Sequence, residues 1–162
     1  MVPIRNAELP STSMPKVLVA TDAEWVRNEV HSVLSAADTT VDAVTSGQAV
    51  LPAVQDDLPD LVILDLQIGN MGGMAVALEL RLEEGADRLD SVPILMLLDR
   101  RADVFLARRS MVEGWLLKPI DPIRLRRAAR ALLDGGTYHD ESYRPEPVLV
   151  QAPWGNVEGS GK

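Results

Sequence analysis

The sequence predicts an α/β protein in which a parallel sheet is covered by helices on both faces. Five short apolar runs, typical of strands buried on both sides, alternate with segments whose apolar residues recur at helical spacing. The chain has 162 residues, of which 46% are hydrophobic and only 4% aromatic, so it can form one aliphatic core. The regular alternation of strand and helix favours a doubly wound sheet.

The predicted strands are mostly continuous apolar runs, and the second is weaker than the rest. Turn-forming residues mark their boundaries, such as Gly47 after the second run and Pro93 before the fourth. We predict strands at Val17–Ala20, Val41–Val44, Leu61–Leu64, Ile94–Leu98 and Trp115–Leu117.

The segments between the strands have the spacing of amphipathic helices. The last helix has the clearest boundaries, because Asp121 is a good N-cap, Pro122 suits the first helical position and Gly135 suits the stop. We predict helices from Ala23 onward, over Gln48–Val54, after the glycine-rich turn Gly69–Gly73, over Arg100–Ser110, and from Pro122 to Gly135.

The two ends of the chain differ from this central pattern. Residues 1–15 contain three prolines and no apolar period, which predicts a flexible leader. Residues 16–134 form the predicted domain, and residues 135–162 are expected to be a mostly irregular tail. Within that tail, the apolar run Val148–Val150 and Trp154 either bind a surface of a partner or fill a gap on their own domain. No further domain, and so no DNA-binding module, is expected after residue 134.

Composition excludes several classes of function. The chain has no cysteine, which excludes disulfides, zinc-thiolate sites and thiol catalysis. No apolar run approaches the roughly 20 residues of a membrane span, and no secretory signal is visible, so a cytoplasmic protein is expected. The net charge of −8 argues against a general nucleic-acid coat.

The segment from Asp99 to Asp134 is basic although the chain as a whole is acidic. It contains nine basic residues and five acidic ones. A basic segment in an acidic chain predicts a local docking face, and solvated helix surfaces are the alternative.

Charged residues follow several of the predicted strands. Asp22 comes after the first strand, Asp65 after the third, Asp99 after the fourth and Lys118 after the fifth. Ligands of open parallel sheets bind at the carboxyl ends of the strands, so these side chains are expected to converge there. Paired carboxylates suit Mg²⁺, a carboxylate can carry an acyl phosphate, and a lysine can hold a phosphate. The alternative is a structural Asp–Lys ion pair.

Four segments of the chain resemble a two-component response-regulator receiver domain, namely KVLVATD, LVILDLQIGNMGG, VPILMLL and WLLKPID. The resemblance runs from Lys16 to Asp134 and implies a flavodoxin-like (βα)5 fold with strand order 2-1-3-4-5. It implies that Asp65 is the phosphoacceptor, that Asp22, Asp65 and the carbonyl of Gln67 hold Mg²⁺, and that Lys118 contacts the phosphoryl group. It also implies a cis peptide bond between Lys118 and Pro119.

The chain departs from the family pattern at positions that matter for signalling. Thr21 replaces the first of two adjacent acids, which should weaken Mg²⁺ binding. Leu98 replaces a Ser or Thr whose hydroxyl binds the phosphoryl group, and Asp99 replaces a small residue, so its charge should repel phosphate. Trp115 occupies the aromatic switch position, or serves only as core packing. We therefore expect a receiver with low or modified phosphorylation and impaired switching.

Three functions compete. The first is a stand-alone signalling receiver, not an enzyme, that receives phosphate from a histidine kinase or phosphotransfer protein. The second is a phosphorylation-independent adaptor, a pseudo-receiver in which Asp65 and Lys118 are a relic ion pair. The third, an Asp-nucleophile phosphatase, is disfavoured because Gln67 occupies the position of its second Asp. Output is expected through the fourth and fifth helices and the strand between them, toward an acidic protein or a second copy. The expected docking residues are Arg100, Arg101, Arg108, Arg124, Arg126 and Arg127.

Overall fold

The computed structural model describes residues 13–142. In this range a six-stranded parallel sheet is flanked by five α-helices. The strands are β1 (Lys16–Ala20), β2 (Thr40–Val44), β3 (Leu61–Asp65), β4 (Ile94–Leu98), β5 (Gly114–Leu117) and β6 (Tyr138–His139). The helices are α1 (Glu24–Ser35), α2 (Val50–Asp56), α3 (Gly73–Gly85), α4 (Val104–Arg109) and α5 (Pro122–Leu133). Single turns of 3-10 helix, Gly47–Ala49 and Arg101–Asp103, lead into α2 and α4.

The strand order is β2-β1-β3-β4-β5-β6, and every neighbouring pair is parallel. This confirms the predicted flavodoxin-like sheet with order 2-1-3-4-5 and adds one strand at its edge. Because all strands run the same way, the carboxyl ends of β1, β3, β4 and β5 lie at the same end of the sheet.

Two apolar layers hold the sheet between the helices. Side chains alternate between the faces along each strand, so Leu64 joins one layer while Ile63 joins the other. One layer packs against α2, α3 and α4 and the other against α1 and α5. The strands β3 and β4 are buried throughout, as their continuous apolar sequences predict.

The strand β6 was not predicted from the sequence and lies within the segment expected to be mostly irregular. It pairs with β5 through Gly114↔Tyr138 and Trp115↔His139. A Cβ added at Gly114 would lie 2.7 Å from the carbonyl oxygen of Tyr138, so a glycine is needed for this close approach.

Asp140 anchors the segment that contains β6. Its side chain is only 2% exposed and accepts hydrogen bonds from the backbone N–H groups of Leu117 and Ser142, both at 2.9 Å, and from Arg124 Nη1 at 2.8 Å. Burial by itself raises the pKa of Asp140, but these donors and the Ser142 hydroxyl outweigh burial and hold that pKa below its ordinary value. We use the name strap for residues 137–142.

No helix within residues 13–142 is long and apolar enough to cross a bilayer. Most of the expected leader, together with Val148–Val150 and Trp154 of the expected tail, lies outside the described residues.

Candidate functional site

Asp65 is the centre of the charged cluster at the carboxyl end of the sheet. Its side chain is 2% exposed, and both carboxylate oxygens are hydrogen-bonded. Oδ1 accepts from Lys118 Nζ at 2.9 Å and from the backbone N–H of Gln67 at 3.0 Å. Oδ2 accepts from Thr21 Oγ1 at 2.7 Å. The structure thus joins Asp65 and Lys118, as the strand ends predict, and adds Thr21 as a third partner.

Backbone packing fixes where Asp65 lies. It is the last residue of β3, and the following loop turns back so that the N–H of Gly73 donates to the carbonyl oxygen of Leu66 at 3.0 Å. A Cβ at Gly73 would lie 2.6 Å from the carbonyl oxygen of Asp65, so only glycine lets α3 begin this close to the strand.

Thr21 does more than remove a negative charge. It is fully buried, and its hydroxyl oxygen both donates to Asp65 and accepts from the backbone N–H of Ala23 at 3.2 Å. A carboxylate at this position would repel the carboxylate of Asp65, whereas the hydroxyl donates a hydrogen bond to it. Sequence reasoning identified the lost acid but not the donor that replaces it.

Lys118 is shared between two carboxylates. Its Nζ lies 2.9 Å from Asp65 Oδ1 and 3.3 Å from Asp99 Oδ1, and its side chain is 10% exposed. The ring of Trp25 lies 5.9 Å from the same ammonium, within cation–π range. The Lys118–Pro119 peptide bond is cis, which confirms the expectation from the resemblance.

The side chains expected to hold Mg²⁺ provide two carboxylates, those of Asp22 and Asp65. Asp22 is exposed, and its Oδ2 accepts from the N–H of Gly69 at 3.2 Å. No cluster of three acidic or histidine side chains suited to a metal occurs among the residues 13–142. Two carboxylates and one backbone carbonyl still fit Mg²⁺, which keeps several waters in such sites. A cation on Asp65 Oδ2 would compete with the hydroxyl of Thr21, so the donor set fits a weak site.

Leu98 and Asp99 complete the edge of the cluster. Leu98 is fully buried in the apolar layer beneath α4, and its carbonyl oxygen accepts from the N–H of Lys118 at 2.8 Å. A leucine side chain has no donor for a phosphoryl oxygen. The Asp99 carboxylate is 39% exposed and adds a second negative charge beside Lys118.

Trp115 is packed into the core and covered by the strap. Its side chain is 3% exposed, its ring stacks on His139 with centroids 4.0 Å apart, and the guanidinium of Arg108 lies 5.7 Å from its centroid. The indole N–H is buried and has no hydrogen-bond partner within residues 13–142. The sequence analysis assigned no role to His139 or Asp140, because two adjacent polar residues in a proline-rich segment cannot show a periodic pattern.

The six arginines expected to form the docking face have different surroundings. Arg100 pairs with Asp103 at 3.1 Å, Arg108 covers Trp115, and Arg124 binds Asp140 and Ser142 of the strap. Five of the six are exposed, and Arg124 is half-buried; the exposed five are Arg100, Arg101, Arg108, Arg126 and Arg127. Arg126 and Arg127, on α5, line a groove against α1.

Known proteins share this sequence pattern and this architecture. A family model described as "Response regulator receiver domain" matches residues 17–130. The DNA-binding response regulator MtrA of Mycolicibacterium smegmatis is 32% identical over 124 residues, which cover 75% of this chain and 52% of that protein. The transcriptional regulatory protein AfsQ1 of Streptomyces coelicolor is 27% identical, over 76% of this chain and 53% of that protein. The chain therefore spans about half the length of these curated relatives.

Solved structures agree with the sequence comparison. The chemotaxis response regulator CheY4 of Vibrio cholerae superposes with a TM-score of 0.67 at 25% identity, over 74% of this chain and 99% of that one. A two-component response regulator of the LuxR family from Aurantimonas has the same fold, with a TM-score of 0.71 at 21% identity, over 81% of this chain and 93% of that one. The buried aspartate at the end of β3, the sheet order and the family match lead to one conclusion: the chain belongs to the response-regulator receiver domains.

Proposed function

We propose that this chain is a receiver of cytoplasmic phosphorelay signalling in which Asp65 accepts a phosphoryl group and the conformational response is weakened. One observation carries the proposal: the Asp65 carboxylate lies at the carboxyl end of the sheet with Lys118 Nζ at 2.9 Å. A histidine kinase or phosphotransfer protein supplies the group. A carboxylate oxygen of Asp65 forms the new phosphorus–oxygen bond while the phosphorus–nitrogen bond of phosphohistidine breaks. The released imidazole takes up a proton.

Lys118 is the group that holds the transferred phosphoryl oxygens in this proposal. Its ammonium is already beside Asp65, and its backbone is held by the hydrogen bond from its own N–H to the carbonyl oxygen of Leu98. Asp22, Asp65 and the carbonyl of Gln67 would hold Mg²⁺. When bound, that cation adds positive charge against the phosphoryl oxygens, a common device in phosphoryl transfer.

The weakened response follows from Leu98. A hydroxyl at this position would donate to the phosphoryl group and draw the loop after β4 inward. A lost hydrogen bond to a charged group is worth about 1.5–3 kcal/mol. Phosphorylation should therefore shift the conformational equilibrium at least about tenfold less than in a receiver with that hydroxyl. Asp99 adds to the effect, because its carboxylate competes for Lys118.

Trp115 is the side chain whose position the switch would change. Its buried and unpaired indole N–H costs about 1–3 kcal/mol, which an orientation toward water would recover. The stacking on His139 and the contact with Arg108 oppose that movement. The strap therefore supports a receiver whose aromatic switch is held inward.

The proposed output is a protein contact with the face formed by α4, the strap and α5. Because β6 covers the edge of β5, a partner would meet the strap where the sequence analysis expected the fifth strand. The basic residues of this face favour an acidic protein or a second copy of the chain. The docking set proposed from the sequence stays a proposal, and its members on the α4 side, Arg100, Arg101 and Arg108, are all exposed.

A pseudo-receiver is the second candidate, and one specific observation favours it. The hydrogen bonds from Thr21, Lys118 and the N–H of Gln67 satisfy both oxygens of Asp65 without any metal. Such a carboxylate can serve as a purely structural link between β1, β3 and β5.

Nuclear magnetic resonance with beryllofluoride, a mimic of the acyl phosphate, distinguishes these functions. The wild type in Mg²⁺ should show shift changes around Asp65 and small ones at Trp115. The double variant Leu98→Thr/Asp99→Ala should show larger changes at Trp115, and Asp65→Asn should show none. A full change at Trp115 in the wild type would contradict the weakened switch. No change near Asp65 would favour the pseudo-receiver.

A further inference from the structure

A groove of about 410 Å³ lies between α1 and α5, at the end of the sheet opposite Asp65. Its position is fixed by Pro15 and Thr39, which precede β1 and β2 and line it. We use the name α1–α5 groove for the space bounded by Leu34, Ala129, Leu133, Arg126, Arg127 and Arg130.

The groove has an apolar floor and a basic rim. Leu34 and Ala129 are buried and Leu133 is half-buried, whereas the three arginines Arg126, Arg127 and Arg130 are exposed. The exposed carboxylate of Asp134 also lines the groove, so the rim carries three positive charges and one negative charge. The three arginines lie one, three and four residues apart on α5. Like charges four residues apart on a helix cost about 0.2–0.5 kcal/mol. The rim therefore carries a small cost that carboxylates from outside would offset.

We propose that the α1–α5 groove binds an acidic, amphipathic segment of a partner protein. An apolar side chain of that segment enters over Leu133, and its carboxylates bind the guanidinium groups of the rim, which match carboxylates in a two-pronged geometry. Two residues of the proposed docking set, Arg126 and Arg127, line this groove on the side of α5 that faces α1. Binding in the groove does not require phosphorylation of Asp65.

Charge favours an acidic segment of a partner protein over nucleic acid, anionic lipid or the flanking segments of this chain as the occupant of the groove. Nucleic acid and anionic lipid are disfavoured because the chain carries a net charge of −8. The flanking segments of this chain have no excess of carboxylates: residues 1–12 contain one basic and one acidic residue, and residues 143–162 contain two of each.

The exposed apolar residues of a second copy that lie beside acidic ones include Leu58, which is 40% exposed, and Leu82 on α3, which is 67% exposed. Carboxylates beside both residues already have partners within the chain. Asp57 pairs with Lys16 Nζ at 2.7 Å, Asp60 accepts from the Lys16 N–H at 2.8 Å, and Glu83 pairs with Arg88 Nε at 2.8 Å. A separate acidic partner is therefore favoured over self-association.

Selection of random peptides displayed on phage against the full chain tests the proposal. We expect enriched peptides that combine Asp or Glu with a large apolar residue, and that shift the resonances of Ala129 and Leu133. Arg126→Glu/Arg130→Glu should weaken their binding at least about tenfold, as expected when 1.4 kcal/mol or more is lost. Arg88→Glu/Arg109→Glu, with the same change in charge on exposed residues that belong neither to the groove nor to the proposed docking set, should bind as the wild type does. Asp65→Asn should also bind the peptides as tightly as the wild type does. A failure of the proposed phosphorylation and a failure of this groove proposal can therefore be told apart.

Four results would overturn the inference. One is a selection without acidic enrichment, and another is equal binding to Arg126→Glu/Arg130→Glu and to the control. A third is tighter binding to anionic vesicles or duplex DNA than to the peptides. The last is occupancy by the chain itself, seen as nuclear Overhauser contacts from Val148–Val150 to Leu133 or as self-association lost in Arg126→Glu/Arg130→Glu. Arg126→Gln/Arg130→Gln should give an intermediate loss, and serves if the reversed charges disturb folding.

Discussion

Replacing Thr21 by Asp should make the folded chain less stable and more dependent on Mg²⁺. Thr21 is fully buried, and its Oγ1 lies 2.7 Å from Asp65 Oδ2. A new carboxylate about 4 Å from Asp65 costs about 4 kcal/mol at an effective dielectric constant of about 20. The lost hydrogen bond adds about 1.5–3 kcal/mol. Lys118 offsets part of this, so we expect a loss of about 3–5 kcal/mol in the free energy of unfolding, out of a usual total of about 5–15.

The same substitution should strengthen the metal site. The wild type is expected to bind Mg²⁺ in the millimolar range, about −4 kcal/mol, and a third carboxylate should tighten that at least about tenfold. At about 10 mM Mg²⁺, the bound cation should then recover more than about 2 kcal/mol of the lost stability.

Urea unfolding with EDTA and with Mg²⁺ measures both effects, and the fluorescence of Trp25, close to Lys118, reports binding. Thr21→Val is the matched control: it removes the hydroxyl without adding charge, and should lose about 2 kcal/mol with no gain in Mg²⁺ affinity. The reasoning fails if Thr21→Asp is as stable as Thr21→Val in EDTA, or binds Mg²⁺ no more tightly than the wild type.

Three further outcomes are expected. Asp140→Ala should cost about 3 kcal/mol near neutral pH, because it leaves a buried N–H and a guanidinium without their acceptor. The folded-state pKa of Asp140 lies below its ordinary value, so this stabilisation is present above about pH 4 and disappears as the pH falls through the folded-state pKa. Urea unfolding at a series of pH values should show this loss. Asp90→Ala, at an exposed position, is the control and should leave the free energy of unfolding unchanged. Asp99→Ala should speed the labelling of Asp65 by acetyl phosphate severalfold, and an unchanged rate would mean that the Asp99 charge does not hinder phosphate entry. Association through the proposed docking face should weaken with salt and with Arg101→Glu, as exposed charge pairs do, whereas a complex indifferent to both would exclude that face.

The fold was largely predictable because its strands are buried on both faces. Continuous apolar runs, such as those of β3 and β4, place strands without any knowledge of the sheet, and the order of strand and helix then fixes the parallel arrangement. The strand β6 was missed because two residues cannot show a periodicity. It depends on Asp140, a single polar residue whose partners lie 16 and 23 positions earlier in the chain.

The site was predictable only in part, because some of its contacts depend on single polar side chains rather than on a repeating pattern. The sequence predicted that Asp65 and Lys118 lie close together, because each follows a parallel strand and parallel strands end at the same edge of the sheet. The hydrogen bond from Thr21 depends on the distance between neighbouring strand ends and on the rotamer of the side chain. The surroundings of the expected docking arginines were not predictable, because sequence proximity on α5 does not show which neighbour, α1 or the strap, each side chain contacts.

Intact-mass measurement after incubation with acetyl phosphate and Mg²⁺ tests most directly whether Asp65 is a phosphoacceptor. The wild type should gain the mass of one phosphoryl group, and Asp65→Asn should gain none. Peptide mapping after borohydride reduction should place the modification on Asp65. A wild type that stays unmodified, or a gain that persists in Asp65→Asn, would contradict the proposed role of Asp65.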